Sequence, residues 1–263
     1  MRILVSNDDG IASPGLAAAV RAVLPLGEVL VAAPSSQQTA MGRSFRGRRD
    51  AVLEPHDLQV DGQAVQAWHL DASPALVVRH ALQTLCRDRQ PDLVVSGINY
   101  GENLGTSITA SGTVGAAFEG ALHGIPALAC SLQVEPDHFL HHGEQDWEAA
   151  VFHVRAVAQL LVLRRLPFDV DVLKLDVPMG ATPQTERRLC RLSRQPYVFN
   201  TLADPHPGSR VGEGQVGVVV DHATLEADSD VHALVVDRVV ALTPLSVDLT
   251  SRADFRSLGV LLG

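Results

Sequence analysis

The chain has 263 residues, of which 46% are apolar, 19% charged and 4% aromatic. That composition fills a core with Val, Leu and Ala and excludes a disordered chain or a disulfide-stapled miniature, while the length suits one large domain or one domain with an appendage. A formal charge of -9 excludes a duplex-binding surface, which needs clustered Lys and Arg, and leaves small anions to be met by a local site.

Ile3-Leu4-Val5 reads as a strand that stops at Asn7-Asp8-Asp9-Gly10. A helix follows from Ser13-Pro14-Gly15 to Leu24, with Ser13 at the N-cap and Pro14 at the first helical position. Glu28 to Ala33 is a second strand, closed by Pro34 and the polar segment Ser35 to Arg49. From Arg43 to Gly62 the pattern weakens into a long loop or an excursion of short strands, and Ala64 to Leu70 is a further strand. Ser73-Pro74 starts a helix to about Cys86, and Asp92 to Ser96 is a buried-type strand ending in Gly97-Ile98-Asn99. The glycine-rich stretch Gly101 to Gly105 leads to Ser111-Gly112-Thr113, which caps a helix through His123. Ala127 to Leu132 is a strand, Gln145 to Leu163 a helix, and the segment near Val170 to Val177 a strand ended by Pro178.

Repeated strand-then-helix order with near-continuous apolar strands implies an α/β fold, a mostly parallel sheet covered on both faces. After Gly180 the chain turns polar and basic, then Pro- and Gly-punctuated, with β-type runs at Val216–Val220 and Ala233–Leu242 and an amphipathic end. We therefore expect an α/β core over 1–180 and, over 181–263, an accessory β-rich arm with a terminal helix, used in oligomer contacts. Cys86, Cys130 and Cys190 are odd in number and far apart, which points to a reducing compartment, the cytoplasm, and to inert core thiols. No apolar run approaches the ~18 residues of a membrane-spanning helix, and the first residues lack a signal-type apolar stretch, so no membrane partner is expected.

In an open parallel sheet the ligand site lies beyond the carboxyl ends of the strands. Asp8 and Asp9 stand there side by side, and neighbouring carboxylates repel unless one is protonated or a cation sits between them. A solvated turn accommodates such a pair too, but has no reason to fall at the ligand edge. A hard divalent ion, Mg²⁺ or Mn²⁺, suits two Asp with a hydroxyl and an amide oxygen. The helix start at Ser111-Gly112-Thr113 offers free amides and hydroxyls to a phosphate, although an ordinary Ser N-cap gives the same sequence.

The segments Ile3–Gly15, Ser96–Gly105 and Ser111–Val114 together resemble the SurE (survival protein E) nucleotidases, with a weaker echo at Thr243–Thr250. That resemblance implies a Rossmann-like three-layer fold and a divalent-metal-dependent phosphatase acting on nucleoside 5′- and 3′-monophosphates. It also implies a homodimer or homotetramer built partly through the C-terminal arm. Its metal ligands map to Asp8, Asp9, the hydroxyl position Thr39 and Asn99, with one Mg²⁺ or Mn²⁺ per subunit. This chain departs from the family at Ser35, Thr39 and Ala40, where an acidic residue, Ser and Gly are usual, with Ser36 or Ser44 as substitute hydroxyls. It departs also at Ala72-Ser73-Pro74 and at the usually Asn-rich strand end, here Leu173 to Pro178.

Phosphate-ester hydrolysis needs charge neutralisation and an aligned water. Asp8, Asp9, Thr39 and Asn99 are expected to hold the ion. Asp9 is expected to orient or deprotonate the water, and Asn103, Ser111, Gly112 and Thr113 to grip the phosphoryl oxygens; a direct Asp8 nucleophile is the alternative route. A zinc site in His138-Phe139-Leu140-His141-His142 is set aside for want of a third ligand at metal spacing. Arg43, Arg46, Arg48 and Arg49 are either an anion-attracting patch or an exposed face. Trp68 and Trp147 are read as packing residues, Tyr197 and Phe199 as candidates to approach a nucleobase. A receiver domain is excluded because Asn99 stands near its phosphoacceptor position and Lys174 is the chain's single lysine; haloacid-dehalogenase chemistry needs Asp residues separated by one position. The competing class is a nucleotide-binding regulator of the same fold with weakened catalysis, separated from the enzyme by metal-dependent phosphate release.

Overall fold

The computed structural model describes residues 1–135, 138 and 142–263. The first strand, β1 (Arg2–Ser6), buries Ile3, Leu4 and Val5 completely, as a continuous apolar run covered on both faces must. Helix α1 (Pro14–Val23) follows, and β2 (Glu28–Pro34) returns parallel to β1. Ser13 holds the N-cap position with extended backbone, yet its hydroxyl makes no cap bond. Close approach seats this helix instead: a Cβ on Gly15 would lie 2.1 Å from the Ile98 carbonyl oxygen.

The stretch left between loop and short strands contains β3 (Glu54–Val60), paired antiparallel with β4 (Gln63–Leu70). Their two-residue turn, Asp61-Gly62, takes φ of 50° and 76°, the primed geometry that matches the twist of a hairpin. Alternation resumes through α2 (Pro74–Gln83), β5 (Leu93–Tyr100), α3 (Gly112–Leu122), β6 (Ala127–Leu132), α4 (Glu148–Leu163) and β7 (Val172–Val177). The late chain supplies β8 (Arg187–Leu189), β9 (Val198–Thr201), β10 (Gln215–Val218), β11 (Val240–Leu245) and α5 (Phe255–Leu262).

Nine strands form one sheet in the order β3-β4-β2-β1-β5-β6-β7-β11-β8, and β9 and β10 pair separately. From β4 to β7 all neighbours are parallel; β3 and β11 run antiparallel to β4 and β7. Period-two alternation splits the core between the faces. Ile3, Val5 and Val95 pack with Leu16, Val20 and Val154 under α1 and α4. Leu4, Leu30 and Val94 pack with Val77, Val114 and Ala117 under α2 and α3. The result is a three-layer α/β fold in which each fully buried Leu or Val contributes roughly 1.5–3 kcal/mol through burial.

The apolar run Ala233–Leu242 divides: His232–Val236 form one π-helical turn, Arg238 takes φ of 56°, and only Val240 onward is strand. Chain order reverses at β1, winding outward to β2 on one side and β5 on the other. The carboxyl ends of β1 and β5 therefore flank the switch point where such folds take ligands. Among the described residues no helix is long and apolar enough to cross a membrane.

Candidate active site

Asp8 and Asp9 follow β1 directly, and folding leaves them only 6% and 5% exposed. Asp9 is held by two donors: the Tyr100 amide meets its Oδ2 at 3.1 Å and Gln37 Nε2 meets its Oδ1 at 3.2 Å. The Thr113 hydroxyl donates to Asp8 Oδ1, and the Gln38 amide donates to the Asp8 carbonyl at 2.7 Å. Burial first, then the neighbouring charge of Asp9, pushes the Asp8 carboxyl up to about 7 against the pull of Thr113. Burial likewise lifts Asp9 to about 6, opposed by the Tyr100 amide and Gln37. Among the described residues no cation is ion-paired to either carboxylate.

The start of α3 comes against this pair. A Cβ on Gly112 would stand 2.7 Å from the Asp8 Cβ and Oδ2, so only glycine lets the helix approach so far. Ser111 caps the helix, its Oγ accepting from the Val114 amide at 3.1 Å, which leaves the hydroxyl proton free to be donated. The amides of Gly112 and Thr113 open the first turn without a partner in the helix, and Thr113 turns its amide as well as its hydroxyl to Asp8.

Asn99 lies inside β5 rather than beyond its end, where pairing with β6 shifts between Ser96 and Asn99. Its Nδ2 donates to the carbonyls of Tyr100 at 3.2 Å and Gly101 at 2.6 Å, which leaves Oδ1, the atom a hard cation takes, unbonded among the described residues. Thr39 is exposed, one residue past the Gln38 contact, and its hydroxyl bonds to neither carboxylate. Ser44 turns to Met41 Sδ at 3.8 Å and accepts the Ser73 hydroxyl on its carbonyl at 2.6 Å. Asn103 is held at two points: its amide donates to Asp176 Oδ1 at 2.8 Å and its Nδ2 to Ser131 Oγ at 2.9 Å.

Of the remaining sequence candidates, Arg43 binds the buried Glu119 at 3.1 Å, and Arg79 shares that carboxylate at 2.7 Å. Arg48 pairs with Asp50 on the surface. Trp147 stands edge-on to Tyr100, centroids 5.0 Å apart. Tyr197 is buried and donates to Glu102 at 2.5 Å, while Phe199 is part-exposed on β9. In the histidine segment Phe139, Leu140 and His141 lie outside the described residues; the His142 ring stacks on Tyr100, and His138 faces Gln145. Sequence reasoning missed Gln37, Tyr100 and the charges behind Asn103. Lys174 and Asp176, two charges at alternate positions of an apolar strand, were the available signal for the last.

An acidic pair facing a glycine-opened helix start at the switch point defines an α/β protein with a polar site at the ligand edge of its sheet. Comparison with known proteins agrees in kind. The family model described as Survival protein SurE matches residues 3–198. A protein of Thermococcus gammatolerans named 5′-nucleotidase SurE is 40% identical over all of this chain and 97% of its own length. Its namesake from Methanothrix thermoacetophila is 38% identical, over 99% of this chain and 98% of its own. The crystal structure of the SurE protein from Aquifex aeolicus superposes with a TM-score of 0.75 at 28% identity, covering both chains completely. The chain belongs to the SurE family.

Proposed function

We propose that this chain is a divalent-metal-dependent phosphomonoesterase that hydrolyses nucleoside 5′- and 3′-monophosphates to nucleoside and phosphate. The observation that carries the reading is a pair of buried carboxylates, with no cation ion-paired to them among the described residues, set against the glycine-opened start of α3. Relatives named 5′-nucleotidase, similar over the whole chain, support the class of reaction and give no support to a regulator without turnover.

The donor set would suit a hard divalent ion through two buried carboxylates and the Asn99 Oδ1, while Thr39, the hydroxyl position the family resemblance implies, stands exposed. When bound, Mg²⁺ or Mn²⁺ supplies neutralising charge for phosphoryl oxygens and acidifies water. Asp9, fixed by Tyr100 and Gln37, would orient the attacking water and accept its proton. Asp8 is kept in place by Thr113 and by the close-packed Gly112. The Gly112 amide, the Ser111 hydroxyl and the Asn103 side chain, preorganised where negative charge accumulates, receive the phosphoryl oxygens beside Thr113, which is turned to Asp8. The test is phosphate release from a panel of nucleoside 5′- and 3′-monophosphates with Mg²⁺, Mn²⁺ or chelator; no metal-stimulated release from any of them overturns the reading.

The same reading draws the arm used between copies of the chain from residues 181–263: β8 and β11 of that stretch join the central sheet, and the β9–β10 hairpin and α5 stand outside it. Helix α5 buries none of its residues, and Phe255, Leu258, Val260 and Leu261 lie exposed along it. On the β9–β10 hairpin Val198, Phe199, Val216 and Val218 are exposed as well. Apolar surface of this extent on a soluble chain is normally covered by a partner, and a homodimer or homotetramer in a reducing cytoplasm fits. Light scattering that returns a monomer overturns the assembly without touching the chemistry.

A further inference from the structure

The loop that carries Asn103 is not held by its own residues. The Asn103 amide donates to Asp176 Oδ1 at 2.8 Å and the Gly105 amide to Asp230 Oδ2 at 3.1 Å, across 73 and 125 positions of chain. Both carboxylates are completely buried, and so is the chain's single lysine, Lys174, which bonds Asp176 Oδ2 and lies 3.2 Å from Asp230 Oδ2. Asp230 Oδ1 further accepts from the amides of Ser193 and Val231, each at 2.9 Å. Between the two clamped amides Leu104 points the other way, into a cluster with Tyr197, Val231 and Leu234.

A buried ion pair is a poor source of stability, because apolar residues of equal volume serve as well or better. Apolar residues here would leave the amides of Asn103 and Gly105 without partners. Carboxylates satisfy them with stronger, charge-assisted bonds, and carboxylates in a dry interior need a cation among them. The placement also has direction: Asp176 sits opposite Ser131 in the sheet register, and Ser131 Oγ takes the Asn103 side chain at 2.9 Å. One strand pair thus fixes both the backbone and the side chain of Asn103.

We infer that Lys174, Asp176 and Asp230 are positioning residues for phosphate binding, a charged clamp that holds the Asn103–Gly105 loop in the shape that meets the phosphoryl group. The inference rests on the proposed reading of the site, and it makes the late segment around Asp230 part of the apparatus that shapes the rim. Asp230→Asn keeps the volume and the Oδ1 contacts but removes the acceptor for Gly105. Asp176→Asn sets an amide nitrogen against Lys174 and loosens the acceptor for Asn103. Each variant raises KM for para-nitrophenyl phosphate, and the inhibition constant of inorganic phosphate with it, by about tenfold, the worth of one charge-assisted bond. kcat stays within about threefold, since Asp8 and Asp9 are untouched.

Hydrogen exchange read on the full chain gives a second measure. The Gly105 amide is protected in the wild type and exchanges at least about tenfold faster in Asp230→Asn. Fast exchange at Gly105 in the wild type overturns the clamp even if neither variant folds. A lower melting point with KM, phosphate inhibition and exchange unchanged overturns it too, leaving the triad purely structural. Absence of any phosphatase activity in the wild type sinks the reading of the site instead, and the exchange result separates that failure from failure of the clamp.

Discussion

Two clusters of buried acid lie near the carboxyl ends of β1 and β7, with two strands between them in the sheet order, and they meet the same electrostatic problem differently. Behind β7, Asp176 and Asp230 have Lys174 between them; burial opposes the ammonium charge, but the two carboxylates outweigh it and hold the Lys174 pKa above its ordinary value. At Asp176 burial outweighs the lysine and lifts that carboxyl too, so the clusters differ in the ion pair and not in the direction of the shift. At the end of β1, Asp8 and Asp9 have no such partner among the described residues, and both carboxyls are driven upward. A cluster that contains its own cation is closed and serves shape. One that lacks it is open to a cation from solution, and that asymmetry separates scaffold from chemistry.

The sharpest break is at the open cluster. Asp8→Asn and Asp9→Asn each remove half of its charge at constant volume, and each lowers metal-stimulated hydrolysis of an aryl phosphate at least on the order of a hundredfold. An unaffected rate in either removes that residue from the site. At the closed cluster the effect falls on stability. Lys174→Met strands two buried carboxylates and costs about 3–5 kcal/mol, read as a lower denaturant midpoint at unchanged slope. A loss below about 1 kcal/mol would mean that the lysine is not what balances them.

Gly112→Ala tests the approach of α3 to Asp8. Its Cβ needs space now 2.7 Å from the Asp8 side chain, so helix start and carboxylate separate and kcat/KM drops about 10- to 100-fold with little loss of fold. Wild-type kinetics in this variant would dissociate the helix from the site. The smallest effect distinguishes the clusters by pH. The folded chain holds protons on Asp8 and Asp9 that the unfolded chain releases at about pH 4. The stability they bring is therefore full below that range and is lost as pH rises through about 6 and about 7. Chelated protein should melt a few degrees lower at about pH 8 than at about pH 5, with Mn²⁺ restoring more at the higher pH. An equal metal shift at both values breaks the account.

The open cluster was legible in the sequence because everything it needs is local. Asp8-Asp9-Gly10 ends an apolar strand, Ser111-Gly112-Thr113 starts a helix, and the alternation of elements places both at one sheet edge. The closed cluster was not legible, since its bonds join Asn103 to Asp176 and Gly105 to Asp230, and no period or spacing encodes such separations. Gln37 escaped for the same reason: a loop glutamine has no pattern until folding brings it within 3.2 Å of Asp9. The β3–β4 hairpin was in principle readable from Asp61-Gly62, the strongest short turn signal, but the polar alternation before it masked a strand whose outer face meets water. The run at 233–242 shows the converse limit, because a short β-branched apolar stretch is compatible with either a strand or a buried helical turn.

Asp230 has a consequence for the order in which the molecule is made. β1 and the two catalytic candidates after it are synthesised before Asp230, and the carboxylate that fastens Gly105 emerges more than two hundred residues later. A nascent chain halted after β7 carries Asp8, Asp9, the start of α3 and the Asp176 hold on Asn103 but not the Asp230 hold on Gly105, so on the proposed reading the loop stays half-fastened until that late segment has been made.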